Sequence, residues 1–151
     1  MQRMKIPPTT KRVKESTCSG DNKKIEQKTV DSINLYKGKS METLTKRIEQ
    51  LDKEWDTERV LESNAATLIL FSSLMGLCGR RRWSFLSGIV SSFLLLHAVF
   101  GWCPPLPIIR KLGIRTSEEI FHESMVMRYS RGDFCDISKE NPTELFYVLK
   151  K

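Results

Sequence analysis

Histidine is scarce in this chain: 151 residues contain two, His97 and His122. A catalytic zinc site takes three protein ligands, most often imidazoles, so one here would have to be built largely from other residue types. His122-Glu123 opens like the helical zinc-protease pattern, but Val126 stands where the second histidine belongs, so no metal pair forms. The first forty residues carry no apolar run of the kind a cleavable signal needs, and insertion into a membrane is expected to depend on later segments. No catalytic constellation is visible. No cofactor is expected, and the chain does not read as an enzyme.

One further absence points to a positive conclusion. From Trp83 to Trp102, twenty residues, there is no Asp, Glu, Lys or Arg. At ~1.5 Å per residue this is ~30 Å of helix, the thickness of a bilayer's hydrocarbon core. Trp83 and Trp102 fall where amphipathic rings anchor at the two interfaces. A second uncharged run, Ala65 to Cys78, spans fourteen residues and is separated from the first by Gly79-Arg80-Arg81-Arg82. That gap fits two antiparallel helices. To cross the bilayer, the shorter run must recruit Ser63 and Asn64, with Leu61 and Val60, which brings Glu62 close to the interface. A re-entrant hairpin and a buried helical pair in a soluble protein are the competing readings.

The fold class expected is therefore an all-α membrane protein: a two-helix transmembrane hairpin over 63–103, flanked by amphipathic helices and a disordered basic arm. The arm is 1–39, where ten Lys and Arg face four acidic residues and large apolar side chains are few. Such an arm would lie against anionic lipid headgroups, at about 1 kcal/mol per basic residue. Without interleaved aromatics it is not expected to bind nucleic acid specifically. An amphipathic helix is expected over 40–62, with Met41, Leu44, Ile48, Leu51 and Trp55 on one stripe and Glu42–Lys46 and Glu49–Lys53 as i, i+4 pairs. In the 104–134 segment, prolines 104, 105 and 107 end the second span, and Thr116-Ser117-Glu118-Glu119 caps a helix with apolar Ile120, Phe121, Met125, Val126 and Tyr129. The tail, 135–151, holds a short strand or helical turn over Leu145 to Leu149.

Within the hairpin, small residues repeat at i, i+4 spacing: Ser72 and Gly76 on the first span, Ser84, Gly88 and Ser92 on the second. These are close-approach faces, which serve either the hairpin's own packing or a homodimer. His97 lies inside the second span, where an ionisable side chain is a functional candidate; the plainer expectation is a neutral imidazole hydrogen-bonded to a neighbouring helix. Cys78 and Cys103 sit at opposite ends of a spanning hairpin, ~30 Å apart, beyond disulfide reach. Cys103 remains a candidate thiol, or simply a small residue at a helix end.

The region from about Glu49 to Phe134 resembles the transmembrane domain family named after the bacterial inner-membrane protein YgaP. The resemblance is carried by the hairpin ending in Gly101-Trp102-Cys103-Pro104 and by Leu112-Gly113-Ile114-Arg115-Thr116, with Leu51-Asp52-Lys53-Glu54-Trp55-Asp56 before and Arg131-Gly132-Asp133-Phe134 after, as in a proteobacterial branch of that family. It implies an inner-membrane helical hairpin, self-associating, with no defined biochemical role. The family's namesake joins this hairpin to a rhodanese domain, whose cysteine is followed six positions on by arginine. Here the residues at that offset from the four cysteines are Lys24, Ser84, Ile109 and Asn141, so sulfur transfer by this chain alone is not expected.

The function expected is a membrane-embedded structural or binding module of the bacterial inner membrane. The alternatives are a thiol- or sulfur-handling accessory using Cys103 and a soluble helical nucleic-acid binder. Seven basic residues flank the terminal side of the hairpin (Lys46, Arg47, Lys53, Arg59, Arg110, Lys111 and Arg115), against Arg80, Arg81 and Arg82 in the loop. That excess predicts both termini in the cytoplasm.

Overall fold

The computed structural model describes residues 7–79 and 82–135. Arg80 and Arg81 of the hairpin loop, and the strand or turn expected over Leu145 to Leu149, lie outside the described residues. Among the described residues, seven helices follow in chain order: α1 (Arg12–Glu15), α2 (Ser19–Tyr36), α3 (Met41–Lys53), α4 (Thr57–Leu77), α5 (Arg82–Phe100), α6 (Leu106–Lys111) and α7 (Ser117–Arg131). The chain divides into two units, Met1–Glu26 with Trp55–Ser117, and Gln27–Glu54 with Glu118–Lys151.

The first unit is built on the α4–α5 hairpin. α4 starts earlier than the boundary at residue 63 expected from the sequence. Asp56, in extended backbone, accepts a hydrogen bond from the Arg59 amide at 2.7 Å and caps a helix of 21 residues. That is ~31 Å of helix, whose first two turns carry Glu58, Arg59 and Glu62 ahead of the uncharged run. Glu58, Arg59 and Glu62 therefore belong to the first turns of α4, not to a preceding amphipathic helix. The polar side chains deeper in the hairpin satisfy themselves locally. Asn64, Thr67, Ser72, Ser91 and Ser92 each donate to the carbonyl four residues before them, so none leaves a donor bare in hydrocarbon.

Both helices are long and apolar enough to cross a bilayer. Leu70, Phe71 and Leu74 on α4 and Phe85, Ile89 and Leu95 on α5 are all more than half exposed. A helical pair in the core of a soluble protein would bury such side chains; continuous apolar faces of this kind mark a lipid-facing surface. The protein is an all-α membrane protein.

The basic arm is not disordered throughout. Within 1–39, α1 and α2 are helical, and Val13 and Ile25 are each only 2% exposed. A chain poor in apolar residues gains order when its few apolar groups find a prepared surface, because helix stability comes mostly from tertiary packing. For Val13 that surface is a cluster with Leu61, Cys103, Leu106 and Ile109. The start of α4 is tied down by Thr57, fully buried, whose amide and hydroxyl both donate to the Arg115 carbonyl at 2.7 and 2.9 Å. Thr57→Val should cost about 1 kcal/mol through the lost hydroxyl bond, read as a lower midpoint of thermal unfolding in detergent.

The second unit packs α3, α7 and the end of α2. Leu44, Ile48 and Leu51 of α3 meet Ile120 and Met127 of α7, with Ile33 and Tyr36 beside them. The stripe expected on α3 is thus confirmed at its centre and corrected at its ends. α3 stops at Lys53, Met41 is 66% exposed, and Trp55 lies in the break before α4. The Glu42–Lys46 pair forms at 2.6 Å on the exposed face, worth a few tenths of a kcal/mol. On α7 the buried face is Ile120, Glu123, Ser124 and Met127, while Phe121, Val126 and Tyr129 are exposed. Glu123 turns inward because its carboxylate receives Arg47 at 2.8 Å and the Ser32 hydroxyl at 2.6 Å.

Candidate functional site at the end of the hairpin

The polar chemistry of the first unit gathers where α5 ends. A helix leaves its last carbonyls without amide partners and carries partial negative charge there. Gly101, at φ +76°, closes the helix in the left-handed conformation that glycine tolerates, and its amide donates to the His97 carbonyl at 2.8 Å. Two further carbonyls are taken by α1. Arg12 Nη1 donates to Ala98 at 3.0 Å and the Ser16 hydroxyl donates to Phe100 at 3.3 Å. Arg12 Nη2 also pairs with Glu58 of α4 at 2.7 Å. One guanidinium thereby joins α1, the end of α5 and the start of α4. The approach is close: a Cβ added to Gly101 would lie 2.6 Å from the Arg12 carbonyl carbon and oxygen. Arg12 is the functional residue that sequence reasoning missed; it is one basic residue among many in the arm, and no local signal singles it out.

His97 sits one residue before the carbonyl that Arg12 holds. It is 3% exposed, and neither ring nitrogen has a hydrogen-bond partner among the described residues. The expected bond to a neighbouring helix is therefore not made. Cys103, three residues beyond the end of α5, is 1% exposed, and burial in its apolar cluster pushes the thiol up from its ordinary range. Reactive cysteines are partly exposed in electropositive surroundings, the opposite of this environment. All four cysteines are free thiols, with Cys18, Cys78 and Cys135 exposed. Cys103 borders an apolar cavity of about 150 Å³, walled by Leu61, Ala65 and Leu68 of α4 and Phe93 and Leu94 of α5.

The small residues divide into two sets. Ser72 is fully buried, a Cβ on Gly76 would lie 2.5 Å from the Ser84 hydroxyl, and Ser73 and Ser87 share a hydrogen bond at 3.1 Å. These hold α4 to α5. Gly88 has nothing within 4 Å of its added Cβ, and Ser92 is exposed. At the loop end Trp83 packs edge-on against Phe71 with centroids 5.6 Å apart; at the other, Trp102 is 47% exposed. His122 is exposed while Glu123 is buried, so the zinc-protease-like dipeptide does not present one site. No cluster of three His, Cys, Asp or Glu residues among the described residues is placed to hold a metal.

The first unit is thus a hairpin of two apolar helices that ends in a Gly-Trp-Cys-Pro turn and is followed by a short helix. Residues 56–119 match the family described as inner membrane protein YgaP-like, transmembrane domain. The matched YgaP-like segment begins at Asp56, the cap of α4, and ends in the first turn of α7, so it contains α4, α5, the turn and α6. It excludes α1, α2 and α3. The arm that caps α5 therefore lies outside the YgaP-like segment. No curated protein and no solved structure matches the chain.

Proposed function

We propose that the protein is a structural or binding module of the bacterial inner membrane, crossing twice with both termini in the cytoplasm and associating with a second copy through α5. The observation that carries this reading is the division of the small residues. Gly76 with Ser84, and Ser73 with Ser87, serve the hairpin, while Gly88 and Ser92 stand open on a helix whose Phe85, Ile89 and Leu95 are more than half exposed. Small residues let helix backbones approach closely, and that contact drives association where no hydrophobic effect operates. The inner-membrane location rests on the YgaP-like match, and the orientation on the basic excess flanking the terminal ends of the spans. Lys11, Lys14, Lys23 and Lys24 are exposed on α1, α2 and their approaches, and they are the residues that would meet anionic headgroups.

Gly88→Leu is expected to reduce crosslinked dimer in native membranes at least several-fold, because a bulky side chain blocks close approach. Leu95→Ala, at a position 66% exposed, should leave the yield unchanged. Equal yields for the two variants would remove α5 from the interface. The protein should also stay with membranes after carbonate extraction, since apolar helices in hydrocarbon are not held by charge; recovery in the soluble fraction would refute the spanning hairpin.

A further inference from the structure

Buried polar groups are almost always hydrogen-bonded, yet His97 is enclosed at the end of α5 with both ring nitrogens bare among the described residues. The charged groups that face it are Arg12 from α1 and Glu58 and Glu62 from α4. Arg12 is committed to Glu58 and to the Ala98 carbonyl beside the ring. Glu62 is exposed, and its charge is screened accordingly. A neutral imidazole is compatible with this arrangement. An imidazolium adds a second cation next to Arg12, whose carboxylate partner Glu58 has a side chain 32% exposed at the start of α4.

We propose that His97 is a proton-binding site, and that its protonation releases α1 from the end of the hairpin as the imidazolium takes Glu58 from Arg12. By linkage, docked α1 and bound proton oppose one another: whatever holds α1 in place disfavours the proton, and the proton loosens α1. Release uncaps the Ala98 and Phe100 carbonyls and lifts Val13 from the cluster that covers Cys103. Histidine is the side chain whose charge changes between pH 5 and 8, so the device would respond to acidification of the compartment that α1 faces.

The test uses the full chain in phosphatidylcholine nanodiscs, with Cys135→Ser and spin labels on exposed Cys18 and Cys78. One narrow distance distribution is expected at pH 8 and a broad one at pH 5. His97→Gln, which binds no proton in this range, should keep the narrow distribution at both. A wild-type distribution unchanged by pH, or a His97→Gln protein that broadens at pH 5 as the wild type does, would overturn the proposal. If His97→Gln is already broad at pH 8, His97→Leu serves as the second non-titrating variant, with the same two outcomes.

Discussion

Gly101→Ala is expected to detach α1 from the hairpin and expose Cys103, the largest effect of any single methyl group added to the first unit. Two costs coincide at this position. Gly101 has φ +76°, a region that costs an L-residue roughly 1–2 kcal/mol. The new Cβ would also lie 2.6 Å from the Arg12 backbone, where the neighbour is main chain and has no flexible end to yield. Either α1 moves away or the turn opens, and both break the Arg12 and Ser16 bonds to the last carbonyls of α5. The loss is on the order of 3 kcal/mol once the charged bond is included. Since Val13 packs in the cluster that encloses Cys103, the readout is alkylation of Cys103 with the other three cysteines changed to serine. The wild type should react slowly and Gly101→Ala at least tenfold faster. Arg12→Gln should show the same direction with a smaller increase, as it removes the polar bonds without the clash. Unchanged alkylation in Gly101→Ala would show that α1 does not protect this turn.

The same turn explains what was legible in the sequence and what was not. The span from Trp83 to Trp102 announced itself because twenty residues without a charge have few other uses, and the hairpin followed from the short gap before it. The true start of α4 did not, since Glu58, Arg59 and Glu62 look like the end of an amphipathic helix; only the break capped by Asp56 separates α3 from α4. The arm was misread for a related reason. Its composition is that of a disordered tail, and the surface that orders it lies more than eighty residues away, at Ala98 and Phe100. His97 was visible as a polar group in a span. That its ring has no partner among the described residues, and that Arg12 and Glu58 are joined beside it, depends on three helices at once. The inward face of α7 was missed by the same logic, because a pattern of apolar spacing gives no weight to a buried glutamate.

That glutamate supplies the other large effect. Arg47→Met is expected to weaken the second unit by ~3 kcal/mol, near the lower end of the cost of removing one partner from a buried ion pair. Glu123 is completely buried, and Arg47 Nε and Nη2 reach the same carboxylate oxygen at 3.1 and 2.8 Å. The Ser32 hydroxyl at 2.6 Å still offers a neutral hydrogen bond to the Glu123 carboxylate after the substitution, which holds the loss below that of a bare buried charge. Arg47 is itself one-fifth exposed, which keeps the estimate from the top of the range. The double variant Arg47→Met, Glu123→Leu should recover most of the loss, since a buried pair replaced by apolar side chains is often neutral. Hydrogen exchange over α3 and α7 is the suitable measurement, because local opening of one unit need not follow melting of the membrane hairpin. Protection in these two helices should fall by about two orders of magnitude in Arg47→Met and return toward wild type in the double variant. Equal losses in the single and double variants would show that Leu44, Ile48, Leu51, Ile120 and Met127 hold the unit without needing Glu123 neutralised, and that the pair contributes packing alone.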